Sequence, residues 1–398
     1  MPGAEDLLKW FDEGRLVRPS AAVPSFVDLV GALFLLAGVD DVETSPAAGA
    51  IARRIGRADH YVFVLADAMG PSALDKAPPG GFLRSHLAGE VRSVFPSSTA
   101  PALTTLATGV WPAAHAVATW YAYLDKFALS AVSLRFVERW SGRSLAEFGV
   151  KSQDVFTVPS VWPRSKYAPL TVISAAVADS VYTVYSSGGT PRAGYSAAAE
   201  AFDLAARHVL DARGPTITYL YLPQVDSVCN EKGTLDEELP RTLAALDGQI
   251  DALSQTLAGR ARIIVAADHG QIDTPPERRF IFRDGEPLFD LLLCPPTGEP
   301  TVPIFHVKEG CEKRFADAFD ARFGAHFALV TPDDAEDLAL FGPVPLSPVL
   351  RRRLGTYVGI FREPSAVYTL LGGAQGPVFV GMHGGLTPEE MRIPLILA

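Results

Sequence analysis

The sequence predicts an α/β fold in which a mainly parallel central sheet is flanked by helices and carries a small α+β cap as an insertion. Short β-rich runs recur between helical stretches, and such alternation reads as a mainly parallel sheet covered by helices. Several of these runs are apolar throughout rather than alternating, as strands buried on both faces are. Three of them are followed closely by acidic residues, which lie where open α/β sheets place their ligands, beyond the carboxyl ends of the strands.

Taken in order, residues 29–39 form the longest apolar run and are flanked by Asp28 and Asp40. The run is about half of a membrane span by the ~20-residue criterion, so it reads as a buried helix. Strands are expected at 61–66, 171–175, 181–185, 216–222, 262–267 and 393–397. Between 271 and 380 the pattern changes to many prolines, charged turns and a βαβ-like stretch, with a strand at 302–307, a helix at 312–323 and a strand at 327–331. The main domain is therefore expected to be discontinuous, residues 1–270 with 381–398, and residues 271–380 are expected to form the cap.

Bulk properties bound the function. At 398 residues the chain exceeds the usual single-core size, which suits a large α/β core with an insertion. Hydrophobic residues make up 48% and charged residues 20%, enough for a substantial core, and no repeat or low-complexity tract is visible. The net charge of -10 argues against stable nucleic-acid binding, which needs many phosphate-neutralising Lys and Arg. Arg351, Arg352 and Arg353 form the only dense basic run and are expected to be a solvated helix face. Residues 1–18 lack the basic-then-apolar layout of a secretory leader, so a cytoplasmic protein with no membrane partner is expected. The three cysteines, Cys229, Cys294 and Cys311, contain no CxxC pair and suggest neither a disulfide framework nor a thiolate zinc site.

The chemistry-bearing residues follow the strands. Asp67 follows 61–66, Asp226 lies just past 216–222, and Asp268 with His269 follows 262–267. In FPSSTAPALTTLATG, residues 95–109, a polar turn feeds a helix, and Thr99 stands at its start. There the free backbone N–H groups and the helix dipole favour a phosphate anion. A hydroxyl at that point could attack phosphorus or serve only as a helix cap. VAADHG, residues 265–270, sets a carboxylate beside an imidazole, both good ligands for zinc-like ions, before a glycine that permits close backbone approach. His383 lies in MHGG just before the last strand, where an isolated His is more often structural than a ligand.

The ordered series LADAMG, FPSSTAPALTTLATG, WPAAHAV, YLPQVDSVCNEKG, AADHG and MHGGLTPEEMRIPLIL resembles the type I phosphodiesterase/nucleotide pyrophosphatase family of the alkaline phosphatase superfamily, over residues 61–398. The resemblance implies an alkaline phosphatase-like fold and two divalent metal ions, usually zinc. Asp67, Thr99, Asp268 and His269 would surround one ion. Asp226, Asn230 and His383 would surround the other, where Mn2+ or another ion is the alternative. It further implies that Thr99, sixteen residues before His115, is the nucleophile of a hydrolase that acts on phosphodiester or pyrophosphate bonds through a phosphothreonine. The substrate would be a small phosphoester such as a nucleotide. Paired ions can stabilise the attacking and leaving oxygens of an in-line displacement, and backbone N–H groups near Ala100 could hold the phosphoryl oxygens.

Two departures from the family pattern stand out. The family has Asp-x-x-x-His before a glycine, whereas this chain reads Asp226-Ser-Val-Cys-Asn230-Glu-Lys-Gly233. An amide oxygen is a weaker donor than imidazole, so this ion is expected to be held less tightly. Cys229 could substitute for the missing histidine, although its side chain is expected to point away as a buried structural thiol. Trp120 falls where eukaryotic members have an asparagine. Trp120, Tyr121 and Tyr123 read as core packing or as a stacking surface for an aromatic group. His115 is expected to support the nucleophile helix rather than bind metal. The sequence leaves open phosphomonoester or phosphonate hydrolysis, phosphomutase chemistry, and a non-catalytic binding protein that has lost one metal site. A sulfatase is disfavoured by the absence of a Cys- or Ser-x-Pro-x-Arg motif around Thr99.

Overall fold

A computed structural model describes residues 2–19, 22–373, 376 and 378–398. Its centre is a seven-stranded sheet in the order Leu87–Arg92, Arg392–Leu397, Ala261–Ala266, His60–Ala66, Thr216–Leu222, Ala168–Ser174, Arg192–Tyr195. His60–Ala66 lies in the middle and pairs in parallel with Thr216–Leu222 on one side and Ala261–Ala266 on the other. Tyr61 through Ala66 are all buried, which explains why the run is apolar without alternation. Arg392–Leu397 runs antiparallel to both of its neighbours, Leu87–Arg92 and Ala261–Ala266.

The two outermost strands, Leu87–Arg92 and Arg192–Tyr195, were not legible as strands. Each pairs on one side only, and LAGEVR and RAGY carry little of the β-branched and apolar character that marks a central strand. Conversely, the expected strand at 181–185 is a helix, Val181–Ser186. Its β-branched composition favours a strand, but the Ser180 hydroxyl accepts from Thr183 N–H at 3.1 Å and caps a helix. Tyr182 is buried while Val181 and Val184 are exposed, a spacing of three rather than two. The apolar run at 29–39 is a helix, Phe26–Leu36, opened by a capping box between Ser25 and Asp28.

A second seven-stranded sheet is ordered Phe327–Val330, Tyr357–Phe361, Val302–Phe305, Thr297–Glu299, Tyr121–Leu124, Leu129–Val132, Val137–Glu138. It is not confined to 271–380, because three of its strands come from 121–138, just after the helix that carries Thr99. The helix Glu312–Phe323 buries Phe315, Phe319 and Phe323 at i, i+4 spacing against Phe305 and Phe327. The helix Pro348–Arg353 bears the three arginines, but only two are solvated. Arg353 is buried and donates to the carbonyls of Ala116, Val155 and Asp154 at 2.7–2.9 Å, so the expectation of a wholly solvated face fails there. Arg351 pairs with Asp333 and Glu336, and Arg352 with Asp125. Among the described residues no helix is long and apolar enough to cross a membrane.

Candidate metal centre

Three loops leave the carboxyl ends of central strands and bring acidic groups to one edge. Asp67 follows His60–Ala66 directly, and its N–H donates to the Leu222 carbonyl at 2.9 Å, which pins it beside the neighbouring strand. Asp268 and His269 follow Ala261–Ala266. Asp226 sits in the first turn of the helix Gln224–Lys232 that continues from Thr216–Leu222. The turn after Asp268 needs glycine, since a Cβ on Gly270 would overlap the Glu389 carbonyl oxygen and crowd Gly70. Thr99 opens the helix Thr99–Thr108, which ends at Gly109 in the left-handed conformation, φ 75°.

His269 is the meeting point. Its Nε2 lies 3.3 Å from Asp67 Oδ1, 3.3 Å from Thr99 Oγ1 and 3.7 Å from Asp268 Oδ2. Its Nδ1 lies 2.9 Å from the Gly270 carbonyl, an acceptor only, so the proton belongs on Nδ1 and the Nε2 lone pair faces the oxygens. His383 repeats the arrangement. Its Nδ1 lies 3.3 Å from the Ser97 carbonyl and its Nε2 3.7 Å from Asp226 Oδ1. The two rings stack at 4.0 Å between centroids, with 22° between planes.

Electron-pair donors are thus gathered around the two imidazoles. Asp67 Oδ1, Asp226 Oδ1 and Asp268 Oδ2 are buried and accept no hydrogen bond, although buried carboxylates are ordinarily satisfied. Burial pushes the Asp67 and Asp226 carboxyls well above the usual range, with Asp268 adding to the rise at Asp67 and Asp67 to that at Asp226. Burial raises Asp268 to about 7. The ligand atoms of Asp67, Asp268 and His269 lie within 4.8 Å of one another, as do those of Asp226, His269 and His383. Orphaned oxygens facing imidazole lone pairs suit divalent cations of the zinc type. His269 joins both groups, whereas the sequence reading placed it at one ion.

Asn230 occupies a different position from a simple replacement of imidazole. Its Nδ2 donates to Asp226 Oδ2 at 2.7 Å, and its Oδ1 accepts from Gln271 Nε2 at 2.6 Å. The amide therefore reaches the centre through Asp226. Cys229 is buried, and burial pushes its thiol up to about 12, so it remains protonated at neutral pH. His115 is fully buried, 3.1 Å from Thr105 Oγ1, and its Nδ1 accepts from Val117 N–H at 3.1 Å. It braces the helix Thr99–Thr108.

The sequence did not single out Tyr221, Ser93, Gln271 or Glu299. Tyr221 donates its hydroxyl to Asp67, and Ser93 donates to the Asp268 carbonyl. Glu299 Oε1 accepts from the Ser98 hydroxyl and from Trp120 N–H, both at 2.8 Å. Ser98 therefore leaves its capping role, and the Thr99 and Ala100 N–H groups have no acceptor among the described residues. Tyr221 was detectable in principle as a polar tip in an apolar strand, whereas the others depend on long-range packing.

The model of the type I phosphodiesterase/nucleotide pyrophosphatase family matches residues 61–292. The chain belongs to this family. It is 25% identical over 197 residues to rat (Rattus norvegicus) ectonucleotide pyrophosphatase/phosphodiesterase family member 3, covering 47% of this chain and 21% of the relative. The chain thus spans about a fifth of that relative's length. Its fold is similar to that of human ectonucleotide pyrophosphatase/phosphodiesterase 5, with TM-score 0.63, 16% identity, and coverage of 85% of this chain and 87% of the other. The murine counterpart, solved also in an inactive form with AMP, gives TM-score 0.61, 17% identity, and 84% and 87% coverage. Phosphonoacetate hydrolase from Sinorhizobium meliloti, solved with phosphonoformate, gives 0.58, 17%, and 85% and 89%. The mainly parallel sheet flanked by helices is the alkaline phosphatase-like fold that these structures share.

Proposed function

We propose that this family member is a divalent-metal-dependent hydrolase of phosphodiester or pyrophosphate bonds that works through a phosphothreonine on Thr99. The observation that carries the reading is the pair of imidazoles whose Nε2 lone pairs face carboxylate oxygens lacking any hydrogen-bond donor. Asp67, Thr99, Asp268 and His269 would hold one ion. Asp226 and His383 would hold the second, with Asn230 beside them and His269 within reach of both groups. Zinc is the first candidate for the nitrogen and oxygen donor set, with manganese the alternative at the Asp226 side. When bound, such ions supply Lewis-acid stabilisation of the attacking and leaving oxygens and acidify a hydroxyl or water.

The chain's own part follows from position. Thr99 Oγ1 forms the bond to phosphorus as the ester oxygen departs, and water then displaces Thr99 from phosphorus and restores its hydroxyl. The free N–H groups of Thr99 and Ala100 at the start of the helix receive the phosphoryl oxygens. The second sheet, which gathers 121–138 with 297–361, serves as the cap in this reading. The AMP held by the murine relative makes nucleotides the first substrates to assay. A cytoplasmic place of action accompanies the proposal, supported by three unpaired cysteines and checked by cell fractionation.

Metal analysis of the purified protein, together with turnover of bis(para-nitrophenyl) phosphate, tests the reading. Close to two ions per chain with turnover supports it, while a folded protein that is loaded with ions but inert toward diesters leaves the non-catalytic binding role. A para-nitrophenyl monoester and phosphonoacetate in the same panel separate the bond classes.

A further inference from the structure

A cavity of about 510 Å³ lies between the 121–140 segment, residues 296–300 and residues 367–372 with Phe379. Its lining includes Glu299, the group that accepts the Ser98 hydroxyl, so the cavity is one hydrogen bond away from the residue preceding Thr99. Trp120, Tyr121, Trp140 and Tyr368 line it with rings. Arg139 is held flat between two of them, its guanidinium carbon 3.7 Å from the Tyr121 ring centroid and 4.4 Å from that of Trp140. Its Nη1 donates to the Pro296 carbonyl at 2.7 Å, and its other nitrogens have no hydrogen-bond or ion-pair partner among the described residues. Arg135 also lines the cavity, with neither hydrogen bond nor ion pair among the described residues.

Two cations with spare donors are therefore set in an aromatic cleft of a chain whose net charge is -10. The one carboxyl in its lining, Glu299, already accepts from Ser98 and Trp120, and its burial disfavours the charged form. Rings supply stacking for a planar group, and guanidinium groups with spare donors suit a carboxylate or phosphate, which takes charge-assisted hydrogen bonds. We infer that this cavity is the subsite for the non-reacting end of the substrate, a planar aromatic group that carries an acidic substituent. The inference rests on the phosphoester-hydrolase reading for the coupling to Thr99, but the binding itself does not.

Two measurements separate these parts. The first compares kcat/KM for para-nitrophenyl phenyl phosphate with that for para-nitrophenyl meta-carboxyphenyl phosphate, which share a leaving group and differ only in the remote acid. The parent enzyme is expected to favour the carboxylated diester by about tenfold, as one charge-assisted hydrogen bond gives. That ratio is expected to fall toward unity in Arg135→Ala, an exposed position, and in Arg139→Ala, with Arg139→Lys retaining part of it. The second is a calorimetric titration of the same metal-loaded proteins with naphthoate, a planar acid with no phosphorus.

Naphthoate binding that weakens about tenfold in Arg135→Ala, with neither diester hydrolysed, would sustain the subsite and sink the hydrolase reading. Turnover of both diesters at equal kcat/KM, or a preference unchanged in Arg135→Ala and Arg139→Ala, would overturn the subsite and leave the hydrolase reading standing. Absence of both naphthoate binding and diester preference likewise overturns it.

Discussion

At the scale of single residues, the centre is defined by what each atom lacks. Thr99 Oγ1 is 3.3 Å from His269 Nε2 at a helix start whose first N–H groups are free. Thr99→Ala is expected to remove turnover by at least about a thousandfold, as loss of a covalent nucleophile does, with an unchanged thermal melt, while Thr99→Ser keeps measurable rate. Parent-like turnover of Thr99→Ala would show that Thr99 does not attack phosphorus. Asn230 is engaged on both sides, by Asp226 and by Gln271, so whereas Thr99 Oγ1 stands beside the group of Asp67, Asp268 and His269, the amide adds no free donor to the group of Asp226, His269 and His383. On dialysis its ion is expected to leave first. Asn230→His is expected to retain that ion longer and to raise turnover at limiting metal; equal loss of both ions from the parent, unaltered by the substitution, would point to another ligand there.

At the scale of elements, a buried arginine at the end of a short helix ties distant segments together. Arg353 donates to three carbonyls, on Ala116, Val155 and Asp154, and so joins the helix Pro348–Arg353 to two segments that follow the helix Thr99–Thr108 in the chain. Arg353→Ala leaves three buried acceptors without donors and is expected to cost about 3 kcal/mol in urea unfolding. Arg351→Ala, on the solvated side of the same helix, is expected to leave the unfolding curve unchanged. Equal curves for the two variants would mean that the Arg353 contacts contribute nothing net. The adjacency of these residues in sequence hid the difference, because a run of like charges carries no information about which member turns inward.

At the scale of the whole molecule, Glu299 joins the second sheet to the start of the helix Thr99–Thr108, since it lies on the strand Thr297–Glu299 and receives the Ser98 hydroxyl. Its carboxyl is raised by burial from 4.5 to about 7. Between those values the folded chain keeps a proton that the unfolded chain has released, so this group's contribution to stability falls as pH rises through the window. Relative to the parent, Glu299→Gln is therefore expected to gain stability from the lower to the upper end of that window, by at most about 3 kcal/mol. A pH-independent difference in urea midpoints would contradict the buried, protonated state. Chelation tests the same scale. Removing divalent ions is expected to abolish turnover and lower the melting temperature, because ligands that bind only the folded state stabilise it. Asp67→Ala and Asp268→Ala are expected to lose both the ion and the chelator-dependent shift. A melt indifferent to chelator in the parent would argue against structural coupling of the ions.

The sequence by itself determined the α/β class, the central strands and the edge at which Asp67, Asp226, Asp268, His269 and His383 meet. Burial on both faces imposes unbroken apolar runs, and loops that follow such runs emerge together at one sheet edge. Local pattern misread 181–185, where a serine cap and three-residue spacing outweighed β-branched composition. It also missed the two edge strands, which need only one good partner and therefore little apolar sequence. Tertiary structure alone decided that residues 121–138 join the second sheet, that Asn230 is held between Asp226 and Gln271, and that Glu299 takes Ser98 away from its cap. Each depends on contacts between segments far apart in the chain, whose pairing is fixed by packing and hydrogen-bond satisfaction rather than by any local pattern.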